Sequence, residues 1–115
     1  VLLAPSLWWE SGSRVLVEAS LNGIPAIVTQ NGGSPEMIGP GGVTLTLPEN
    51  MHKPPFNTLL SDKALVPITN ALTRFFDDDA LYQTYARRAL AHGRMAHDIE
   101  RNSDNLFRIF EAMVA

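Results

Sequence analysis

The chain has 115 residues, of which 45% are hydrophobic and 18% are charged, a balance typical of one folded domain rather than of a disordered segment. Its net charge is −3 and it has no block of Lys or Arg, which argues against a nucleic-acid-binding or anionic-membrane-binding surface because both require clustered cations. Cysteine is absent, which excludes a disulfide framework and a thiolate zinc site.

The sequence opens with an apolar run, "VLLAPSLWW", and has no initiator Met. No apolar run approaches the roughly 20 residues that a membrane span requires. We therefore expect the 115 residues to be a fragment of a longer, cytoplasmic protein, with a membrane-peripheral location of that parent as an alternative.

The first predicted elements are a strand and a helix. Residues 1–4 are wholly apolar and are followed by "PS", as in a strand buried on both faces of a parallel sheet. Ser13 is the predicted N-cap of a helix over residues 14–22, which Gly23 ends. The positions expected to face the interior are Val15, Leu16 and Ala19, with Val17 as a further candidate.

A second strand and a second, shorter helix follow. Residues 26–29, "AIVT", predict a strand, and "SPEMI" predicts a helix with Ser34 as N-cap and Pro35 at its first position. Residues 42–47, "GVTLTL", predict a third strand. This alternation predicts an α/β fold with a parallel, Rossmann-like sheet and right-handed crossovers.

The rest of the chain predicts a long loop and a helical tail. We divide the single partial domain into residues 1–50, a βαβ part, residues 51–60, a loop, and residues 61–115, the tail. Ser61 or Asp62 is expected to open a helix that ends near Phe76, Asp79 a second, and Ser103 a third. The tail residues expected to face inward are Leu81, Tyr85, Ala89 and His92, then Leu106, Phe107, Phe110 and Met113.

Two glutamates, Glu10 and Glu18, are the first candidate site residues. The loop with Glu10 follows a strand of a parallel sheet and precedes a helix N-terminus, where backbone N–H groups suit a phosphate. Glu18 lies about one and a half turns into that helix, and its carboxylate can accept hydrogen bonds from a ribose diol. Spacing alone also fits an ordinary ion pair between Arg14 and Glu18.

A second candidate loop, "NGGSPE", contains Gly32 and Gly33 at the end of the next strand. Two glycines let backbone N–H groups approach a ligand closely. The alternative is a plain turn between a strand and a helix.

Taken together, these segments resemble the C-terminal, donor-binding half of the retaining GT-B glycosyltransferases of the group 1, family 4 type. The resemblance covers residues 1–50 and follows the sequence "APSLWWESGSRVLVEASLNGIPAIVTQNGGSPEMI". Its matching elements, in order, are Pro5 and Ser6, the pair Glu10 and Glu18 with seven residues between them, Ala19, Gly23 and Pro25, and then Gly32, Gly33, Pro35 and Glu36.

The resemblance implies a domain that binds a nucleotide-sugar and transfers its sugar with retention, without a metal or other cofactor. It implies a catalytic role for Glu10 at the sugar end and a ribose contact for Glu18. The other implied donor-binding residues are Gly12, Ser13 and Arg14 at the phosphates, with Gly32 and Gly33. The family usually has Glu-Gly-Phe-Gly where this chain has "ESGS", so Ser13 replaces a glycine.

The resemblance also implies an acceptor domain and basic residues upstream of Val1, so the fragment alone is expected to be inactive. Two alternatives stay open: another GT-B nucleotide-sugar enzyme such as an epimerase, and a non-catalytic binding or assembly module with the same fold. We further expect self-association through an exposed sheet edge.

Other polar groups have simpler interpretations. Asp77–Asp79 are expected to cap a helix, His92 and His97 to lie at the surface or near a helix end, and His52 to be solvated. The helix residues Arg87, Arg88 and Arg94 are expected to be solvated rather than to reach a donor. One of Trp8 and Trp9 is a candidate for stacking on a base or sugar, and at least one is expected to pack beneath the loop.

Overall fold

A computed structural model describes residues 1–114 of the chain, and for His52 its backbone only. Its sheet has three parallel strands in the order β1 (Leu2–Ala4), β2 (Ala26–Thr29) and β3 (Gly42–Leu45). Leu3 pairs with Ile27, and Ile27 with Val43. The predicted α/β class with a parallel sheet is confirmed, and the third strand ends two residues before the predicted Leu47.

Five α-helices surround and extend the sheet: α1 (Arg14–Leu21), α2 (Ser34–Ile38), α3 (Asp62–Asp77), α4 (Asp79–Ala96) and α5 (Ile99–Val114). Short 3-10 turns lie at Gly39–Gly41 and Glu49–His52. In the part of the chain that the structure describes, no helix is both long and apolar enough to cross a membrane.

The core lies on both faces of the central strand β2, whose four residues are all buried. On one face Ala26 and Val28 pack with Leu16 of α1 and Ile38 of α2. On the other face Ile27 packs with Leu45 and with Phe75 of α3. Alternate strand residues point to opposite faces, so the continuous apolar run "AIVT" is explained by helices on both sides of the sheet.

Two details of the first helices differ from the prediction. In α1, Leu16 and Ala19 are buried as predicted, but Val15 is 47% exposed because it lies on the side of the helix that faces a surface groove. In α2 the N-cap is Gly33 rather than Ser34. Ser34 is the first helical residue instead, and it is buried.

Side-chain caps hold the first two tail helices. The Ala64 N–H donates to the Ser61 hydroxyl at the start of α3, at 3.3 Å, and the Leu81 N–H donates to Asp78 Oδ1 at the start of α4, at 2.8 Å. The two helices meet where the Phe75 ring packs nearly perpendicular to the rings of Tyr82 and Tyr85. Asp78 thus has the capping role predicted for the acidic run.

The last helix departs most from the prediction. α5 begins at Ile99 rather than at Ser103, because Asp98 Oδ1 accepts the Arg101 N–H at 2.7 Å and caps the helix earlier. None of its residues is buried. Leu106, Phe107, Phe110 and Met113 were expected to face inward, and that prediction is wrong, since all four are exposed. The apolar spacing forms one helix face, but none of residues 1–114 covers it enough to bury a side chain.

Candidate functional site

The two candidate loops meet at one edge of the sheet. Because β1 and β2 are parallel neighbours, residues 5–13 and 30–33 both leave the sheet at its carboxyl end. The Gly33 N–H donates to the Glu10 carbonyl at 2.7 Å, which joins the loops directly. The structure therefore brings the loop of Glu10 and the Gly-Gly loop into contact.

The glycine pair is required by this contact. Gly32 has φ of 60°, and a Cβ there would stand 2.8 Å from the Glu10 nitrogen and collide with the Glu10 carbonyl. A Cβ on Gly33 would collide with the Ser11 carbonyl. Packing between the loops therefore explains both glycines, and the Gly33 N–H is used within the chain rather than left free.

Two buried polar side chains at the end of β2 bind the start of the loop that contains Glu10. Thr29 and Asn31 are 0% and 2% exposed, and both donate to the Ser6 carbonyl, Asn31 through Nδ2 at 3.0 Å. Burying such groups is costly unless they are hydrogen-bonded, so their pairing holds the start of the β1–α1 loop against the end of β2. Sequence reasoning missed these two residues, although polar side chains directly after a buried apolar strand were visible in "AIVTQN".

The two glutamates lie on different parts of this surface. Glu10 is half-buried between the loops, whereas Glu18 is exposed on α1. Glu18 borders a groove of about 400 Å³ together with Val1, Leu2, Val15, Ala19, Asn22 and Ile24, and Glu10 does not line that groove. Among the described residues Glu18 has no ion-pair partner, so the pair with Arg14 that the spacing allows does not form.

The N-terminus of α1 is open. Ser13 occupies the N-cap position as predicted, but its hydroxyl makes no capping hydrogen bond, and the first turn holds no acidic residue. The Ser13 carbonyl accepts the Leu16 and Val17 N–H groups, while the earliest N–H groups of a helix have no partner within it. Next to this end Gly12 faces Met37, whose Sδ would lie 3.7 Å from an added Cβ.

Aromatic side chains stand beside Glu10. Trp8 and Trp9 are each 77% exposed, so the expectation that one of them packs beneath the loop is wrong. The loop is held instead by hydrogen bonds to its backbone, from Asn31 to the Ser6 carbonyl and from Gly33 to the Glu10 carbonyl. Phe56, from the long loop after β3, lines the same surface with Leu7 and both tryptophans.

Two histidines, His92 in α4 and His97 at its C-cap, contact α2, whereas the arginines of α4 are exposed as predicted. His92 and His97 place Nε2 at 3.1 and 3.3 Å from the carbonyl oxygens of Glu36 and Met37, so they bind the last carbonyls of α2. This agrees with the helix-end role predicted for them. Arg88 lies over the Tyr85 ring of its own helix, with Cζ 5.5 Å from the ring centroid.

A comparison of the chain with protein-family models, with curated proteins and with solved structures finds no match.

Proposed function

We propose that this chain is the donor-binding part of a retaining glycosyltransferase with a Rossmann-like, GT-B-type sheet. In the full protein it transfers a sugar from a nucleotide-sugar to an acceptor bound by a second domain. The observation that carries the proposal is the direct contact between the two candidate loops, the 2.7 Å hydrogen bond from Gly33 to Glu10. Ligands of open parallel sheets bind beyond the carboxyl ends of the strands, where these loops meet.

The phosphates of the donor are assigned to the N-terminus of α1. Its first N–H groups lack a side-chain cap, and the helix dipole there favours negative charge. Gly12, Ser13 and Arg14 bring backbone N–H groups and one cationic side chain to that point. These groups favour the leaving diphosphate, which gains negative charge as the bond to the sugar breaks.

The ribose of the nucleoside is assigned to Glu18. Glu18 is exposed and is not held by Arg14 or any other cation among residues 1–114. A free carboxylate can accept two hydrogen bonds from adjacent hydroxyls of a ribose.

The sugar is assigned to Glu10. Its backbone is fixed by the bond to Gly33, and the residue is half-buried. A carboxylate held there can accept hydrogen bonds from sugar hydroxyls and stabilise positive charge that develops at the anomeric carbon. No metal or other cofactor takes part in this proposal.

Calorimetric titration of the full-length protein with nucleoside diphosphates tests the assignment of Glu18. Glu18→Gln should weaken binding by about 1–3 kcal/mol, the cost of losing a charged hydrogen-bond acceptor. Glu100→Gln on α5 is the matched control, an exposed acidic helix residue that should bind as the wild type does. Equal affinities of all three proteins would refute the ribose contact.

Transfer assays separate the role of Glu10 from that of Glu18. Glu10→Gln should keep nucleoside diphosphate binding and lose sugar transfer, because it acts at the sugar and not at the nucleotide. A protein that binds nucleotide-sugars but never transfers the sugar would instead support the non-catalytic module.

A further inference from the structure

We propose that Leu7, Trp8, Trp9 and Phe56, here called the aromatic platform, bind the saccharide acceptor of the reaction. The platform stands on the strand side of Glu10, on the residues that directly precede it, together with the loop after β3. This inference rests on the proposed function, since it names the acceptor class of the same site. It adds contacts from this chain to those that the second domain makes with the acceptor.

The aromatic side chains of the platform are largely exposed to solvent. Trp8 and Trp9 are each 77% exposed and Phe56 is 58% exposed. These side chains enclose two shallow cavities, of about 330 and 230 Å³. Within residues 1–114 no aromatic ring stacks on any of the three, and neither indole N–H donates a hydrogen bond. Ring faces and N–H donors are thus both available to a ligand.

The conformation of Phe56 supports a specific role for that ring. Its φ of 58° is the left-handed value that a bulky side chain rarely adopts. The Phe56 N–H donates to the Lys53 carbonyl at 3.0 Å, which closes a turn and directs the ring to Trp8. Strained backbone of this kind is concentrated at binding sites.

The chemistry of the surroundings favours a neutral saccharide. A pyranose has an apolar face of C–H bonds that stacks on indole and phenyl rings, and hydroxyls at its rim. Glu10 adds a carboxylate acceptor directly after Trp9 in the chain, and the exposed Ser11 adds a hydroxyl in the same loop. Recognition therefore combines a few polar groups with apolar walls, as in most small-ligand sites.

Charge and area argue against larger partners. The platform loop of residues 5–13 holds no Lys or Arg, and Lys53 in the Phe56 turn is paired with Glu49 at 2.6 Å. The next cation along the loop is Arg14, which the proposed donor site assigns to the diphosphate. The exposed platform measures on the order of 500 Å², given aromatic side chains of about 150–250 Å² each. A stable protein interface needs about 800 Å² on each partner.

Indole signals provide the test, because both Trp residues of these 115 belong to the platform. The full-length protein labelled with 15N-tryptophan is titrated, without nucleotide, with glucose, mannose, galactose, N-acetylglucosamine and their disaccharides. We expect both indole N–H signals, assigned through Trp8→Phe and Trp9→Phe, to shift with at least one sugar. Trp8→Ala and Trp9→Ala should each weaken its binding about tenfold, and Trp8→Phe should retain most of the affinity.

Phe56→Ala should weaken sugar binding several-fold. The matched control is Phe76→Ala, which removes a ring that is 78% exposed on α3 and should leave sugar binding unchanged. The proposal is overturned if no sugar shifts the indole signals, or if sugars bind only as nucleotide conjugates. It is equally overturned if the tryptophans bind phosphatidylcholine vesicles instead, or if their signals change only with protein concentration.

Nucleoside diphosphate binding by the same samples separates this inference from the proposed function. If Glu18→Gln weakens nucleoside diphosphate binding but no sugar binds, the donor site is supported and the platform proposal is overturned. If sugars bind but nucleoside diphosphates do not, the platform is supported as a sugar-binding surface and the donor site is overturned.

Discussion

Replacing Gly32 with Ala should loosen the contact between the two loops and destabilise the fold by about 2 kcal/mol. At φ of 60° an added Cβ costs roughly 1–2 kcal/mol. The Cβ also collides with the Glu10 carbonyl, so relief requires movement of Glu10 and loss of the Gly33 hydrogen bond, at about 0.5–1.5 kcal/mol. Reduced entropy of the unfolded chain offsets about 0.4–1 kcal/mol of this total.

Urea unfolding followed by circular dichroism measures the effect, provided that the m-value is unchanged. Gly12→Ala is the matched control in the neighbouring loop. Gly12 is outside the left-handed region, and its Cβ would make an ordinary contact 3.7 Å from Met37 Sδ, so the free energy of unfolding should change by less than about 0.5 kcal/mol. The reasoning is refuted if both variants have the same stability.

Three further substitutions test other parts of the structure by the same unfolding assay. Asp78→Ala should cost about 1 kcal/mol by removing the cap of the Leu81 N–H, whereas exposed Asp77→Ala should be neutral; equal losses would contradict the cap. Ile27→Ala in the central strand should cost about 2–5 kcal/mol because Ile27 is fully buried, and a loss below 1 kcal/mol would contradict that packing. Leu106→Ala on α5 should change stability by less than about 0.5 kcal/mol, and a loss above 1 kcal/mol would show that this exposed face is buried in the protein.

Local sequence patterns predicted secondary structure correctly where that structure depends on residues close together in the chain. The run "AIVT" predicted the central strand within its observed bounds, since four consecutive apolar or β-branched residues suit a strand covered on both faces. The order of strands and helices likewise predicted the parallel sheet. Ser61 predicted the start of α3 through a capping bond that spans three residues.

Properties that depend on distant partners were not predictable in the same way. The apolar spacing of α5 predicted a buried face, but burial requires a second surface, and periodicity alone does not supply one. The exposure of Trp8 and Trp9 was missed because their loop is held by backbone bonds to Gly33 and by Thr29 and Asn31, which contact it across more than twenty residues of sequence. Propensity contains no information on such pairings.

At the candidate site, the sequence pattern selected two loops that the structure places in contact. It did not indicate that Gly32 and Gly33 are needed for the packing of those loops against Glu10 and Ser11. It also did not indicate that Glu10 and Glu18 border different parts of the surface. The ribose and the transferred sugar are therefore assigned to two separate side chains, Glu18 and Glu10, rather than to one shared pocket.

Amide shift mapping of the 15N-labelled full-length protein with a nucleoside diphosphate shows where the donor binds. We expect the amides of Gly12, Ser13 and Arg14 at the start of α1 to shift, together with those around Glu18 and those of the Gly32–Gly33 loop. Shifts confined to other surfaces, such as the cavity that Val43, Pro67 and Tyr85 line, or no shifts at all, would rule out a donor site at the carboxyl end of this sheet.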